Sequence, residues 1–161
     1  MRAAVLTVSD GVFHGAREDA SGAVLAGRAA AAGFDLAERA VVPDEADQIA
    51  AQVVAWADAD DAPELVLVTG GTGFAPRDVT PEALSPVYDR RTPGIDEAMR
   101  AFSMRVKPHG MLSRGVSGIR KGTLILSFPG SPRACDELFD VVAPVLEHAL
   151  RLLRSDPTEH L

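Results

Sequence analysis

Four short stretches of this chain carry residues able to do chemistry: Ser9-Asp10-Gly11, Pro43-Asp44-Glu45, Gly70 to Asp78, and Pro129-Gly130-Ser131-Pro132. The third, Gly70-Gly71-Thr72-Gly73-Phe74-Ala75-Pro76-Arg77-Asp78, is the richest. Its clustered glycines let the backbone turn sharply and approach a ligand closely. Thr72 adds a hydroxyl, Arg77 a planar anion-binding fork and Asp78 a hard oxygen ligand. Such a loop suits a phosphate compound held together with a divalent cation. The competing reading is a tight turn that needs glycine for its backbone alone.

Asp44 and Asp78, with Asp10 as a third candidate, are carboxylates of the kind that hold Mg²⁺. That ion keeps several waters and takes one or two protein oxygens. Asp44 has an equal alternative as the N-cap of the helix that follows it. Lys107, His109, Ser113 and Arg114 form a partly basic stretch that reads on composition as a solvated loop. The four histidines lack metal-ligand spacing. Cys135 stands near a helix start, where packing explains a small residue better than thiolate activation does. No Gly-Lys-Ser/Thr follows the glycines, and no Gly-x-Gly-x-x-Gly follows the first strand, so kinase-type and dinucleotide readings lose their support.

These loops require strands to present them. Ala3 to Val8 and the unbroken apolar run Leu65 to Thr69 read as buried strands, and Asp35 to Val42 as a strand alternating apolar with polar. Helices are expected from Ser21 to Ala32, stopped by Gly33, and from about Ala46, where Ile49, Val53 and Trp56 share a face. Thr80-Pro81-Glu82 reads as an N-cap, a proline at N1 and an acidic first turn. After a polar break over Asp89 to Gly94, Ile95, Met99, Phe102 and Val106 mark another helix. Ser117 to Arg120, a Lys121-Gly122 turn and Thr123 to Phe128 predict a hairpin. Ala134 to Arg154 predicts a long closing helix whose wide apolar face runs from Leu138 to Leu152. The tail from Ser155 to Leu161 is expected to fray. Strand-helix alternation of this kind predicts one α/β domain over 1–161, a three-layer sandwich with a mostly parallel sheet and helices on both faces. In such sheets ligands bind beyond the carboxyl ends of the strands, so the four loops should meet on one rim.

Composition agrees with a single compact unit. The chain has 161 residues, 47% of them hydrophobic and 24% charged. A formal charge of −7 argues against bulk nucleic-acid or anionic-membrane binding. Of the 16 basic residues only Lys107 and Lys121 are lysines, so an anion grip would be built from arginine. The single cysteine excludes an intrachain disulfide. The start is too short for a signal peptide, no stretch reaches membrane-spanning length, and a cytoplasmic protein is expected.

Read in order, Thr7-Val8-Ser9-Asp10, Asp19-Ala20-Ser21-Gly22, Val42-Pro43-Asp44-Glu45, Gly70-Gly71-Thr72-Gly73, Arg77-Asp78-Val79-Thr80-Pro81-Glu82-Ala83, Leu112-Ser113-Arg114, Ser117-Gly118-Ile119-Arg120 and Pro129-Gly130-Ser131-Pro132 resemble the MogA/MoaB family. The same fold recurs in the molybdopterin-binding domain of gephyrin. The resemblance covers roughly Ala3 to Leu153. It implies molybdenum cofactor biosynthesis, and for MogA-type members the Mg²⁺-dependent adenylylation of molybdopterin by ATP, releasing pyrophosphate. It places the key acidic, metal-holding positions on Asp44 and Asp78 and the nucleotide and phosphate loop on Gly70, Gly71, Thr72 and Gly73, beside Arg77. It puts Ser113 and Arg114 in a pterin-phosphate pocket, with Ser9, Asp10, Gly130 and Ser131 on the same rim. It further implies a homotrimer and hand-over to a molybdenum-inserting enzyme. The alternative is a MoaB-type accessory protein that binds molybdopterin without adenylyl transfer.

Overall fold

The computed structural model describes residues 1–155. The run of elements begins with β1 (Arg2–Val8), a single helical turn α1 (Asp10–Phe13), α2 (Ala20–Ala31), β2 (Asp35–Val42), α3 (Ala46–Ala57) and β3 (Leu65–Thr69). It continues through α4 (Thr80–Leu84), β4 (Arg90–Arg91), α5 (Pro93–Val106), β5 (Gly118–Arg120), β6 (Thr123–Phe128) and α6 (Pro132–Leu153). Short 3₁₀ turns occupy Ser85–Val87 and Pro108–Leu112. Six strands form one sheet in the order β2-β1-β3-β6-β5-β4. The first four are parallel; β5 pairs antiparallel with β6, and β4 antiparallel with β5.

The unbroken apolar run of β3 follows from burial on both sides: all five of its residues are buried. Side chains on a strand alternate between faces. Ala3 and Val5 of β1 therefore join Leu65, Leu67, Leu124 and Leu126 against α2, α5 and α6. Ala4, Leu6 and Val8 join Val66, Val68 and Ile125 against α3 and α4. Each fully buried leucine or phenylalanine in these two layers contributes about 1.5–3 kcal/mol. The three-layer α/β sandwich expected from the sequence is the architecture observed.

Local differences have identifiable causes. Thr80 is not the N-cap of α4; Val79 holds that place, and the Thr80 hydroxyl donates instead to the carbonyl of Gly70 at 2.8 Å. The expected polar break contains the two-residue edge strand β4, whose exposed arginines give no alternation to read. Ser9-Asp10-Gly11, expected as a plain loop, feeds α1, with the Ser9 hydroxyl accepting from Val12 N at 3.3 Å. Val106, Val145 and Leu152, placed on apolar faces by spacing, are exposed. Of the tail expected to fray, residues 156–161 lie outside the described residues.

Candidate functional site

Because β1, β2, β3 and β6 are parallel, all four chemistry-bearing stretches emerge at one rim. Backbone bonds lock the exits together: Ser9 N donates to Val42 O at 3.0 Å and Gly70 N to Phe128 O at 3.1 Å. The Thr69 hydroxyl donates to Pro129 O at 2.7 Å. Gly70 and Gly71 adopt φ of +101° and +64°, a region that disfavours side chains. A Cβ on Gly70 would also collide with the carbonyl of Val8. One on Gly71 would collide with the Thr80 hydroxyl and lie 3.1 Å from Asp44 Oδ1. Glycine is required at both positions by the backbone conformation and by the neighbouring protein atoms.

Two cavities open on this rim. The smaller, about 460 Å³, is lined by Ser9, Arg17, Ser21, Asp44 and Gly70 among others. The larger, about 680 Å³, is lined by Thr72, Lys107, His109, Ser113, Ser131 and Arg133 among others. Gly71, Asp78 and Gly130 border both. They form a shared edge where ligands in the two cavities would meet.

The carboxylates are individually placed. Asp44 does not cap α3, where Glu45 takes the N-cap position without a side-chain bond. Asp44 and Asp10 instead exchange bonds: Asp44 Oδ2 accepts from Asp10 N at 2.8 Å, and Asp10 Oδ1 accepts from Asp44 N at 3.0 Å. Burial pushes the Asp44 carboxyl above its ordinary value, and the charges of Asp10 and Asp78 push it the same way. Asp10 moves in the opposite direction, because its carboxylate accepts both Nε and Nη2 of Arg77, at 2.9 and 3.0 Å. Asp78 Oδ2 turns back to accept from Ala75 N at 2.9 Å.

Among the described residues, no group of three or more His, Cys, Asp and Glu side chains is arranged to hold a metal unaided. Asp44 and Asp78 both line the smaller cavity, and one or two carboxylates are what Mg²⁺ ordinarily takes from a protein. A cation bound through Asp44 and Asp78, with waters and phosphate oxygens completing its shell, would relieve the crowded negative charge that raises Asp44.

The arginines are less free than their sequence positions suggest. Arg77, expected as an anion fork, is taken up by Asp10 and by Glu45, whose Oε1 lies 2.9 Å from Nη2. Arg114, expected in a phosphate pocket, stands outside both cavity walls. It donates to Gly73 O at 2.8 Å and Asp78 O at 2.7 Å and pairs with Glu82. Its neighbour Ser113 does line the larger cavity. Lys107 and His109, read from composition as solvated loop, join that wall through the 3₁₀ turn at Pro108–Leu112.

Sequence reasoning passed over Arg17 and Arg133. Arg17 lies within 3.2 Å of the Ser9 hydroxyl, and Arg133 follows the proline at N1 of α6. A basic residue in the first turn of a helix is unusual against the helix dipole and was the available signal for Arg133. Cys135 is packed, as expected: fully buried, bonded to Pro129 O at 3.1 Å, its thiol pushed up to about 11 by burial. No helix among the described residues is long and apolar enough to cross a membrane.

Comparison with known proteins matches this arrangement. Residues 4–148 match the family described as "Probable molybdopterin binding domain". The chain is 48% identical to gephyrin of Dictyostelium discoideum over 121 residues, 75% of this chain and 17% of that protein. It is 39% identical to molybdenum cofactor biosynthesis protein B of Escherichia coli K12, covering 93% of this chain and 88% of that one. Molybdopterin adenylyltransferase of Helicobacter pylori is 38% identical over 70% of this chain and 64% of its own length. The chain spans between 17% and 49% of the length of three longer relatives. The crystal structure of MoaB from Thermus thermophilus superposes with a TM-score of 0.90 at 44% identity, covering 98% of this chain and 99% of that one. With the strand order, the rim and the glycine loop in place, the chain belongs to the MogA/MoaB family of molybdenum cofactor biosynthesis proteins.

Proposed function

We propose that the protein adenylylates molybdopterin, using ATP and Mg²⁺ and releasing pyrophosphate. The observation that carries this reading is the shared edge of Gly71, Asp78 and Gly130 between two cavities. A two-substrate transfer needs such an edge, where the reacting groups come together. The similarity to a molybdopterin adenylyltransferase supports the same reading.

In this reading the phosphates of ATP lie over Gly70 to Gly73, and molybdopterin occupies the larger cavity with its phosphate toward Ser113. A terminal phosphate oxygen of molybdopterin attacks the α-phosphorus of ATP. The bond from that phosphorus to the bridging oxygen breaks, and pyrophosphate departs with the electron pair. The attacking phosphate is anionic at neutral pH, so no strong general base is needed. The chain's work is alignment and charge compensation. Asp44 and Asp78 would hold Mg²⁺, which would neutralise charge on the departing pyrophosphate. Gly71 keeps side chains out of the line of approach. The N-terminus of α6, capped by Ser131, faces the larger cavity and favours an anionic ligand there.

The unit of function is a single domain assembled as a homotrimer. Exposed Val145 and Leu152 on α6 and Met104 and Val106 on α5 offer the apolar surface for assembly. The cytoplasm is the expected compartment. Product passes to a molybdenum-inserting enzyme. The deciding experiment incubates the purified protein with ATP, Mg²⁺ and molybdopterin and analyses the products. Adenylylated molybdopterin with matching pyrophosphate is the expected result. Tight molybdopterin binding with no turnover would establish the accessory role instead.

A further inference from the structure

We propose that Arg114 is a positioning residue that sets the direction of Asp78, and not a ligand for substrate phosphate. The inference rests on the transferase reading above but is carried by separate geometry. All three guanidinium nitrogens of Arg114 are engaged inside the protein. Nε donates to the carbonyl of Gly73 at 2.8 Å, Nη2 to the carbonyl of Asp78 at 2.7 Å, and Nη1 pairs with Glu82 in the first turn of α4. The backbone N–H of Arg114 donates to Thr72 O at 2.8 Å. One residue thus grips the glycine loop at Thr72, at Gly73 and at Asp78, the two ends of the Gly73 to Asp78 excursion included.

Glu82 shows that the pairing is electrostatically matched: its hydrogen bond with Arg114 pulls its carboxyl below the usual value. Within the clamped segment, Asp78 Oδ2 bonds Ala75 N, and the missing side chain of Gly73 leaves room for that oxygen. A Cβ there would stand 2.7 Å from it. With Oδ2 bonded to the loop, the placing of the Asp78 carboxylate at the edge of the two cavities depends on where the Asp78 backbone is pinned. Arg114 pins it. Because Arg114 directly follows Ser113 of the larger cavity's wall, the same contact fixes the spacing between that wall and the shared edge.

A phosphate ligand and a carbonyl clamp differ in what lysine can replace. An ammonium preserves a point charge toward phosphate but cannot bridge two carbonyls and a carboxylate with one planar fork. Arg114→Ala and Arg114→Lys should be compared with wild type in three measurements. First, amide hydrogen exchange over residues 73–78 in the ligand-free protein is expected to rise at least about tenfold in both variants. Second, the turnover number at saturating ATP, Mg²⁺ and molybdopterin is expected to fall roughly 10- to 100-fold in both, with lysine giving no rescue. Third, the molybdopterin dissociation constant is expected to move less than about threefold. Unchanged loop exchange in both variants would overturn the proposal, and so would a molybdopterin dissociation constant raised about tenfold or more and restored by lysine. The exchange measurement needs no substrate, so it decides the role of Arg114 even if wild type proves to transfer no adenylyl group. Should Arg114→Ala fail to fold, Arg114→Lys carries the same comparison.

Discussion

The two cavities differ in what their walls offer a ligand. The smaller carries Asp44, Asp78 and Glu18 against a single cation, Arg17. The larger sets Lys107, Arg133 and His109 beside Asp78 and Glu137, with apolar Val106, Leu112 and Ala134 in the same wall. An acidic pocket repels a bare polyphosphate and accepts one that brings a divalent cation. A pocket whose cations and carboxylates balance, with apolar patches, suits a flat ring bearing a phosphate without a metal. In the proposed reaction, metal-borne phosphate would lie on one side and metal-free phosphate on the other, and the two would meet at the shared edge.

The sharpest way to break this picture is at the shared edge. Asp78→Asn should cut adenylyl transfer on the order of 10²-fold or more while the thermal midpoint stays near wild type. Turnover within about threefold of wild type at saturating Mg²⁺ would show that the edge carries no such load. Gly71→Ala strikes the same edge through the backbone. The strained φ and the collision with Thr80 should weaken ATP binding by about tenfold or more, measured by titration calorimetry. A variant binding ATP as wild type does would mean that the loop is not a phosphate cradle.

Asp44→Asn tests the acidic side alone. Transfer should fall, and the Mg²⁺ needed for half-maximal rate should rise. Because burial and neighbouring carboxylates disfavour the charged form of Asp44 in the folded protein, losing the charge should leave the thermal midpoint unchanged or raise it by about 1–4 °C. A midpoint several degrees lower would show that Asp44 serves the fold first. Arg133→Ala tests the larger cavity. Exposed and already paired with Glu137 at 2.7 Å, Arg133 should contribute modestly, weakening molybdopterin binding by about 3- to 10-fold with a clear salt dependence. An equal loss of ATP affinity would erase the division between the cavities.

Much of this was legible in the sequence for a definite reason. The apolar runs of β1, β3 and β6 demand a covered sheet, and parallel strands put their exits, with Asp10, Asp44 and Asp78, on one rim; it was the resemblance that singled out Asp44 and Asp78. Which side chain takes which partner was not legible. Arg77 read as an anion fork, and Arg114 by the resemblance as part of a phosphate pocket, yet a long guanidinium chooses among everything within its reach, and here carboxylates and carbonyls from distant segments arrive first. The same holds for Thr80, whose type suits a cap but whose hydroxyl finds the Gly70 carbonyl across the loop. The single turn of α1 and the two-residue β4 are too short to leave a periodic trace. The exposed Val145 and Leu152 satisfy helical spacing without being covered by this chain, since periodicity reports a face and not its occupant.

The central position of β6 has a consequence for the order of events during synthesis and folding. β3 holds its neighbour through contacts such as Thr69 to Pro129, separated by 60 residues along the chain. Pairings of such range close large loops and form slowly compared with local turns. Gly130 and Ser131 reach the rim only when β6 slots between β3 and β5, so a growing chain that already contains Asp44 and Asp78 still has an open rim. In the proposed reading, ligand capture would therefore wait until Ser131 of the 161 residues has been made.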